Sequence, residues 1–289
     1  MLSYRRPVRR TALAGGAIAT LALIAGASVP ACAQTKLEAR YTASVGGIPI
    51  GKGSWFIEIG ASQYSAAASG QVAGVLRAVS SGEGSAGVRG TINAAGHLTP
   101  ATFAAHVSAD KQSDDVRMVL QGGTVKELVA EPPFPPTPDR VPVTEVHRRG
   151  VIDPMSAGLM AVGGTGEVVA PEACHRTLPI FDGRQRFDLT LAFKRMDKVS
   201  AEKGYQGRAV VCSVTYQPLA GHRPSRYAIK YLMEQRDMEI WLVPLDNTRI
   251  MVPFRIVVPT LIGAAVLEAT QFVNAALPSR ASGSNTKTQ

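Results

Sequence analysis

The sequence predicts a mainly β protein, a strongly curved antiparallel sheet or open barrel wound as a meander, with one short helix near residues 154–162. Three observations carry this reading. Charged residues make up only 18% of the chain and aromatics 6%, while glycine numbers 28, a profile of many turns rather than of a helical bundle. Apolar and polar residues alternate in run after run, the period of a half-buried strand. The runs follow one another at short intervals marked by Gly, Asn or Asp, with no helical segment between successive strands, so the connections are those of a meander.

The chain has 289 residues, which permits one large or two small domains. Its start reads as an export signal: Arg5, Arg6, Arg9 and Arg10, an apolar run from Thr11 to Val29, then Ala31-Cys32-Ala33. Cleavage is expected between Ala33 and Gln34, leaving residues 34–277 as a single β-rich domain and 278–289 as a disordered tail. The expected location is periplasmic. A lipoprotein acylated at Cys32 is the lesser alternative, since Pro30 sits awkwardly before that cysteine. A membrane anchor would need about 20 apolar residues, more than this Gly-rich run supplies. A twin-arginine signal serves folded, cofactor-laden cargo, for which the rest of the chain offers no support.

Removing residues 1–33 takes away those four arginines and no acid, so the formal net charge falls from +9 to +5. No dense Lys/Arg run with interleaved aromatics remains; His147-Arg148-Arg149 reads as a solvated turn, so nucleic acid is not an expected partner. Cleavage would also leave two cysteines, Cys174 and Cys212. In an oxidising compartment a lone pair is most simply a disulfide, worth roughly 4 kcal/mol by chain entropy for a loop of this length; two separate buried thiols are the alternative.

The first strand runs from Leu37, with Leu37, Ala39, Tyr41, Ala43 and Val45 on one face and Glu38, Arg40, Thr42 and Ser44 on the other. A second follows at Trp55, Ile57 and Ile59. Between them stands Gly46-Gly47-Ile48-Pro49-Ile50-Gly51-Lys52-Gly53-Ser54, which comes within one position of the phosphate-binding loop G-x-x-x-x-G-K-[ST]. The match fails twice: Gly53 offers no hydroxyl for magnesium, and strand alternation follows where a helix must begin. The glycines and Pro49 are therefore expected to build the hairpin turn.

Strand-like runs continue at 63–72, 75–80, 84–92, 101–108, 116–121 and 124–129. The proline cluster from Glu131 to Pro138 reads as a stiff crossover. Asp153 then precedes Pro154 and a run of helix formers to Val162, an N-cap with proline at the first helical position. Strands resume at 176–181, turn at Asp182-Gly183, and continue at 185–195, 207–216, 225–234, 238–244 and 249–258. Leu261 to Val273 fits either a helical face or a strand.

Candidate chemistry is thin. Gly84-Ser85-Ala86-Gly87 lacks the spacing of a nucleophile elbow, and Ser156 falls in the helix after Asp153. Cys174 adjoins His175, but a disulfide would consume its thiol. His97, His106, His147, His175 and His222 are scattered, with no metal-ligand spacing. Asp114-Asp115 reads as a solvated turn, while Arg184 and Arg186 flank the second hairpin and are able to meet an anionic group. No catalytic set, cofactor or metal is expected.

Taken in order, the Gly-Gly-Ile-Pro-x-Gly turn after Tyr41, Asp153-Pro154-Met155-Ser156-Ala157, Cys174, Phe181-Asp182-Gly183-Arg184-x-Arg186-Phe187, Cys212 and Val252-Pro253-Phe254-Arg255 resemble the exported bacterial family known as domain of unknown function 3108. The resemblance runs from about Leu37 to Val273. It implies a periplasmic, curved antiparallel sheet like the open barrels of lipoprotein carriers, and it favours a strand at Leu261–Val273; it brings no catalytic residues. The expectation that follows is a non-enzymatic envelope protein binding a lipid, another apolar ligand or an envelope partner, because many of the alternating positions are Ala or Gly and leave room for a cavity. A hydrolase of envelope polymers or esters is the alternative, requiring a histidine and a carboxylate that only the fold brings together. An outer-membrane barrel is disfavoured by the lack of aromatic girdles.

Overall fold

The computed structural model describes residues 35–74, 81–110 and 112–276. The export signal with Cys32, Ala33 and Gln34, the run at 75–80 and the C-terminal tail lie outside the described residues. Within them, the expected meander forms one 15-stranded sheet that does not close.

Its first half comprises Thr35–Val45 (β1), Ile48–Ile59 (β2), Gln63–Val72 (β3), Gly82–Ile92 (β4), Leu98–Ala109 (β5), Gln112–Gln121 (β6) and Thr124–Glu131 (β7), each antiparallel to the next. A helix at Pro154–Ala157 (α1) and a short strand at Met160–Ala161 (β8) precede the second half. That half contains Arg176–Phe181 (β9), Arg186–Ser200 (β10), Lys203–Gly204 (β11), Gln206–Ala220 (β12), the helix Tyr227–Glu234 (α2), Glu239–Pro244 (β13), Ile250–Thr260 (β14) and Gly263–Ala276 (β15). Across the sheet the order is β7-β6-β5-β4-β3-β2-β1-β15-β14-β13-β12-β10-β9, so the two halves join where β1 pairs with β15, and β7 and β9 are the edges.

The first hairpin is tighter than the sequence suggests. Only Gly46 and Gly47 form the turn, both at positive φ (56° and 82°), as a two-residue hairpin of the favoured twist requires. Pro49 and Gly51 lie inside β2, with a register shift between Ala43 and Ser44 that accommodates the proline. Leu261–Val273 resolves as a hairpin arm: the turn is at Leu261-Ile262, and β15 pairs with both β14 and β1.

Two expectations, one helix and one strand, are corrected. The helix after Asp153 ends at Ala157 rather than Val162, because Met160 and Ala161 pair with β14 and the chain must turn at Gly158 to reach it. A Cβ on Gly158 would stand 2.7 Å from the Trp55 ring, so this corner is packed to the limit. Residues 225–234, read as a strand, instead contain α2. The run Tyr-Ala-Ile-Lys-Tyr-Leu-Met-Glu has good helix formers and places Tyr227 and Tyr231 four apart, stacked at 6.1 Å.

The disulfide joins Cys174 to Cys212, tying the turn at Pro171–Cys174 onto β12 inside a cluster with Met160, Leu191, Ile240 and Leu242. Between edges β7 and β9 the seam is spanned by other means. Val151 donates its N–H to Gly123, and Ile152 donates to Pro179 while accepting from Phe181, so residues 151–152 stitch the β6–β7 turn to β9. Phe103, Val116, Val125, Val151 and Phe181 pack together there. Arg184, at the Asp182-Gly183 turn, pairs with Asp114 at 2.8 Å, donates to the Pro132 carbonyl and lies over Phe134, with Arg140 also 4.1 Å from that ring. The arginine proposed to meet an anion thus meets one of the chain's own, and so does Arg186, paired with Asp188.

Gly183 has φ 94° and presses its backbone on Val116. Gly183→Ala is expected to cost about 2 kcal/mol or more in urea denaturation, from left-handed strain plus overpacking, whereas Gly166→Ala, which faces open space, stays within about 0.5 kcal/mol of the parent.

Candidate functional site

Most inward residues of the first strands shrink along the sheet, with Gly90 at the bulky end and Val72 at the small end as the exceptions. On β2 they run from Ile59 and Ile57 through Trp55 to Gly53 and Gly51; on β3 from Tyr64 and Ala66 to Ala68 and Gly70; on β4 from Val88 to Ala86, Gly84 and Gly82. At the bulky end the interior is solid, with Leu37, Ile57, Phe254 and Phe272 almost wholly removed from solvent. At the small end the same face cannot fill the curve. A cavity of about 660 Å³ opens there, floored by Ala43, Gly51, Gly53, Ala68 and Gly70. Leu178, Ile180, Phe187, Leu189, Leu191, Val214, Ile240 and Ile256 of the second half face that floor. A neighbouring hollow of about 510 Å³ shares Ala43, Gly51, Ala68 and Gly70, and extends past Ile50, Val72 and Val107. The interior is therefore filled at one end and hollow at the other.

The helix α1 forms one wall of the cavity through Pro154, Met155, Ala157 and Gly158. Its position is fixed by buried polar groups. Asp153 Oδ1 accepts the N–H groups of Met155 and Ser156, each at 2.9 Å, and the Ser156 hydroxyl bonds the Tyr64 phenol at 2.7 Å. Burial raises the carboxyl pKa of Asp153, against the capping bonds that favour its charge, and its Oδ2 is buried without a partner. Tyr41, on the floor, is also held above its ordinary value by burial and donates to the Pro253 carbonyl at 2.7 Å. These groups are spent on holding α1 and β14 in place; the cavity itself is walled by carbon.

Lys52 lies within β2, an exposed strand residue paired with Thr42 and not the first turn of a helix, so the near-match to a phosphate loop holds nothing of that motif. His97 follows the Asn93 turn, His147 bonds Thr144 in a short 3₁₀ turn, and His175 follows the disulfide. His222 is buried, with Nδ1 unpaired and its pKa lowered by desolvation. Among the described residues, no three His, Cys, Asp or Glu side chains gather as a metal site.

One juxtaposition escaped the sequence. Asp114-Asp115, read as a turn, lies within β6; Asp115 is the register partner of His106, and their side chains bond at 3.0 Å on the outer face. Ser85 stands opposite His106 on the other side. His106 and Ser85 line a polar groove of about 890 Å³ with Arg40, Lys52, Ser54 and Ser69. Counting residues back from the Asp110 turn would have paired His106 with Asp115, had that turn been located.

The sequence model of a family described as "Protein of unknown function (DUF3108)" matches residues 40–270. The chain belongs to this family. The match takes in both halves of the sheet, the Gly46-Gly47 turn, Asp153, the disulfide and the cavity floor of this DUF3108 protein. No curated protein matches it. Among solved structures, a "Beta-barrel-like Protein of Domain of Unknown Function DUF1849 from Brucella abortus" is similar, with 9% identity, 84% of this chain and 98% of that one covered, and a TM-score of 0.43.

Because the folded state raises the pKa of Asp153, it binds more protons than the unfolded chain between the usual carboxylate pKa and the raised one. This group therefore takes stability away as pH rises through that window. Asp153→Asn, which keeps a capping oxygen, is expected to gain stability relative to the parent as pH rises above the usual carboxylate range, in paired urea titrations. Asp153→Ala loses the cap and about 1 kcal/mol.

Proposed function

We propose that this protein is a non-catalytic binding protein of the cell envelope that holds an apolar ligand, of the class of a lipid acyl chain, in the hollow end of its sheet. The cavity carries the reading. Its volume of about 660 Å³ falls within the range of ligand sites, roughly 300–1,000 Å³, and its walls offer aliphatic and aromatic side chains from both halves of the sheet. Packing the space was within reach of larger residues, yet three adjacent strands place Gly or Ala at successive inward positions. The N-terminal export pattern and the Cys174–Cys212 bridge support a periplasmic setting.

Ala68 lines the cavity and its neighbour Ala67 faces outward, which gives a matched pair of variants. Ala68→Trp is expected to weaken uptake of a fluorescent long-chain fatty acid by about tenfold or more, with Ala67→Trp unchanged and both proteins retaining the parent's circular dichroism. Wild-type protein that takes up no fatty acid, and brings none with it from the periplasm in native mass spectrometry, rejects the reading.

A hydrolase is the second reading, favoured by the Asp115–His106 bond, which leaves the other ring nitrogen free on a groove that also holds Ser85. Against it, Ser85 lies mid-strand, where β3 and β5 both pair with β4, so no spare backbone N–H group stands ready for an oxyanion. Ser85→Ala and His106→Ala are expected to leave any hydrolysis of p-nitrophenyl esters at the parent's level. A hundredfold loss in both would establish an active site in this groove.

A further inference from the structure

The hollow end of the sheet also gathers three exposed aliphatic side chains. Ile48, beside the β1–β2 turn, is 56% exposed; Leu261 and Ile262, in the β14–β15 turn, are 69% and 81% exposed. The two turns form one tip. Gly46 donates its N–H to the Ala264 carbonyl at 3.0 Å, and a Cβ on Gly263 would lie 2.8 Å from the Gly46 Cα. Nothing in the folding of the sheet asks for three large aliphatic residues at a solvent-facing hairpin end, where Asn, Asp and Gly are the usual choice.

The apolar character reaches well beyond the turns. No charged residue occurs between Arg40 and Lys52 or between Arg255 and Glu268. From the Gly46-Gly47 turn back to Lys52 is about five strand residues, roughly 17 Å. Half of a bilayer's hydrocarbon core is about 15 Å. The uncharged band therefore has the depth of one lipid leaflet. Backbone groups placed in hydrocarbon must be bonded within the protein, and the two strands at the centre of the tip meet that demand: β1 is paired on both sides as far as Val45 and β15 as far as Ala265, while β14 pairs with β15 to Thr260 and with β13 only to Val257. At the base of the band stand Lys52, with no ion pair among the described residues, and Arg40, in an open 3.7 Å pair with Glu38. Both line the polar groove on the outer face, which Glu83 and Glu202 also line, at the level where headgroups would lie.

We propose that the tip formed by the β1–β2 and β14–β15 turns is a membrane-docking device. Ile48, Leu261 and Ile262 enter one leaflet, Arg40 and Lys52 meet the headgroups, and the hollow past Ile50 and Val72 is brought up against the lipid surface. Docking stands on the tip alone. That it loads or unloads the cavity rests on the carrier reading.

The test uses the full chain and vesicles of phosphatidylcholine, with and without phosphatidylglycerol. Wild-type protein is expected to float with both, to persist there in 0.5 M salt as apolar insertion requires, and to show a blue-shifted emission for Ile262→Trp on adding vesicles. Leu261→Asp with Ile262→Asp is expected to partition about tenfold more weakly or worse, while its melting and its uptake of soluble fatty acid match the parent's. No flotation of wild type, flotation abolished by salt without a blue shift, or equal flotation of the double variant would each overturn the proposal. So would light scattering that finds a wild-type dimer and a monomeric variant with neither bound to vesicles, since a second copy would then cover the tip. Docking that differs between the two proteins when neither takes up fatty acid upholds the tip and rejects the carrier.

Discussion

The pairing of β1 with β15 is the interaction on which the rest of this structure depends. It joins residues 220 to 241 positions apart, from Val45 with Ala265 to Thr35 with Ala276, and it converts two separate meanders into one sheet. Without it each half would present a bare edge beside its most apolar strand. With it, Leu37, Ala39, Phe272 and Ala269 enter a common core, and the two halves are set at the curvature that lets Ile256 and Leu191 face Ala68 and Gly70 across an open space. The cavity belongs to neither half alone.

Much of the fold was legible because its signals are local. Strict alternation marked β1 and β2, glycine pairs marked turns, and Asp-Gly at 182–183 marked the β9–β10 hairpin. The Asp153-Pro154 cap also gave the start of α1 correctly, since its two bonds are made within three residues. Its end was not legible, because Gly158 stops the helix for the sake of Trp55 and a pairing with β14 some 90 residues away. The strand expected at 225–234 failed for a related reason. An apolar run of that length fits either period, and only its position on the surface beside β12 shows which face has anything to pack against.

The site was legible in kind and not in place. The abundance of Ala and Gly at alternating positions pointed to spare room, but the gradient that confines it to one end appears only when β2, β3 and β4 are set in register. The exposed tip was hidden for a simpler reason: Ile48 fell within a longer expected turn, and Leu261 and Ile262 within a stretch that fits either a helical face or a strand, until the turns are located to the residue. His106 and Asp115 likewise became neighbours only through the register of β5 with β6.

The order of the strands has a further meaning. Read outward from one edge, β9, β10, β12, β13, β14 and β15 are followed by β1 through β7, each beside its successor. Thr35 and Ala276 are register partners, so the ends of the described chain lie side by side in the middle of the sheet, while both free edges flank the crossover between residues 131 and 176. The architecture is thus an up-and-down meander whose chain has been cut at the centre instead of at the rim. Linking 276 to 35 and opening the crossover would produce a circular permutant in which the thirteen strands of the main path follow one another in chain order, with only β8 against β14, β11 against β15 and the seam beside β9 left as pairings between distant residues.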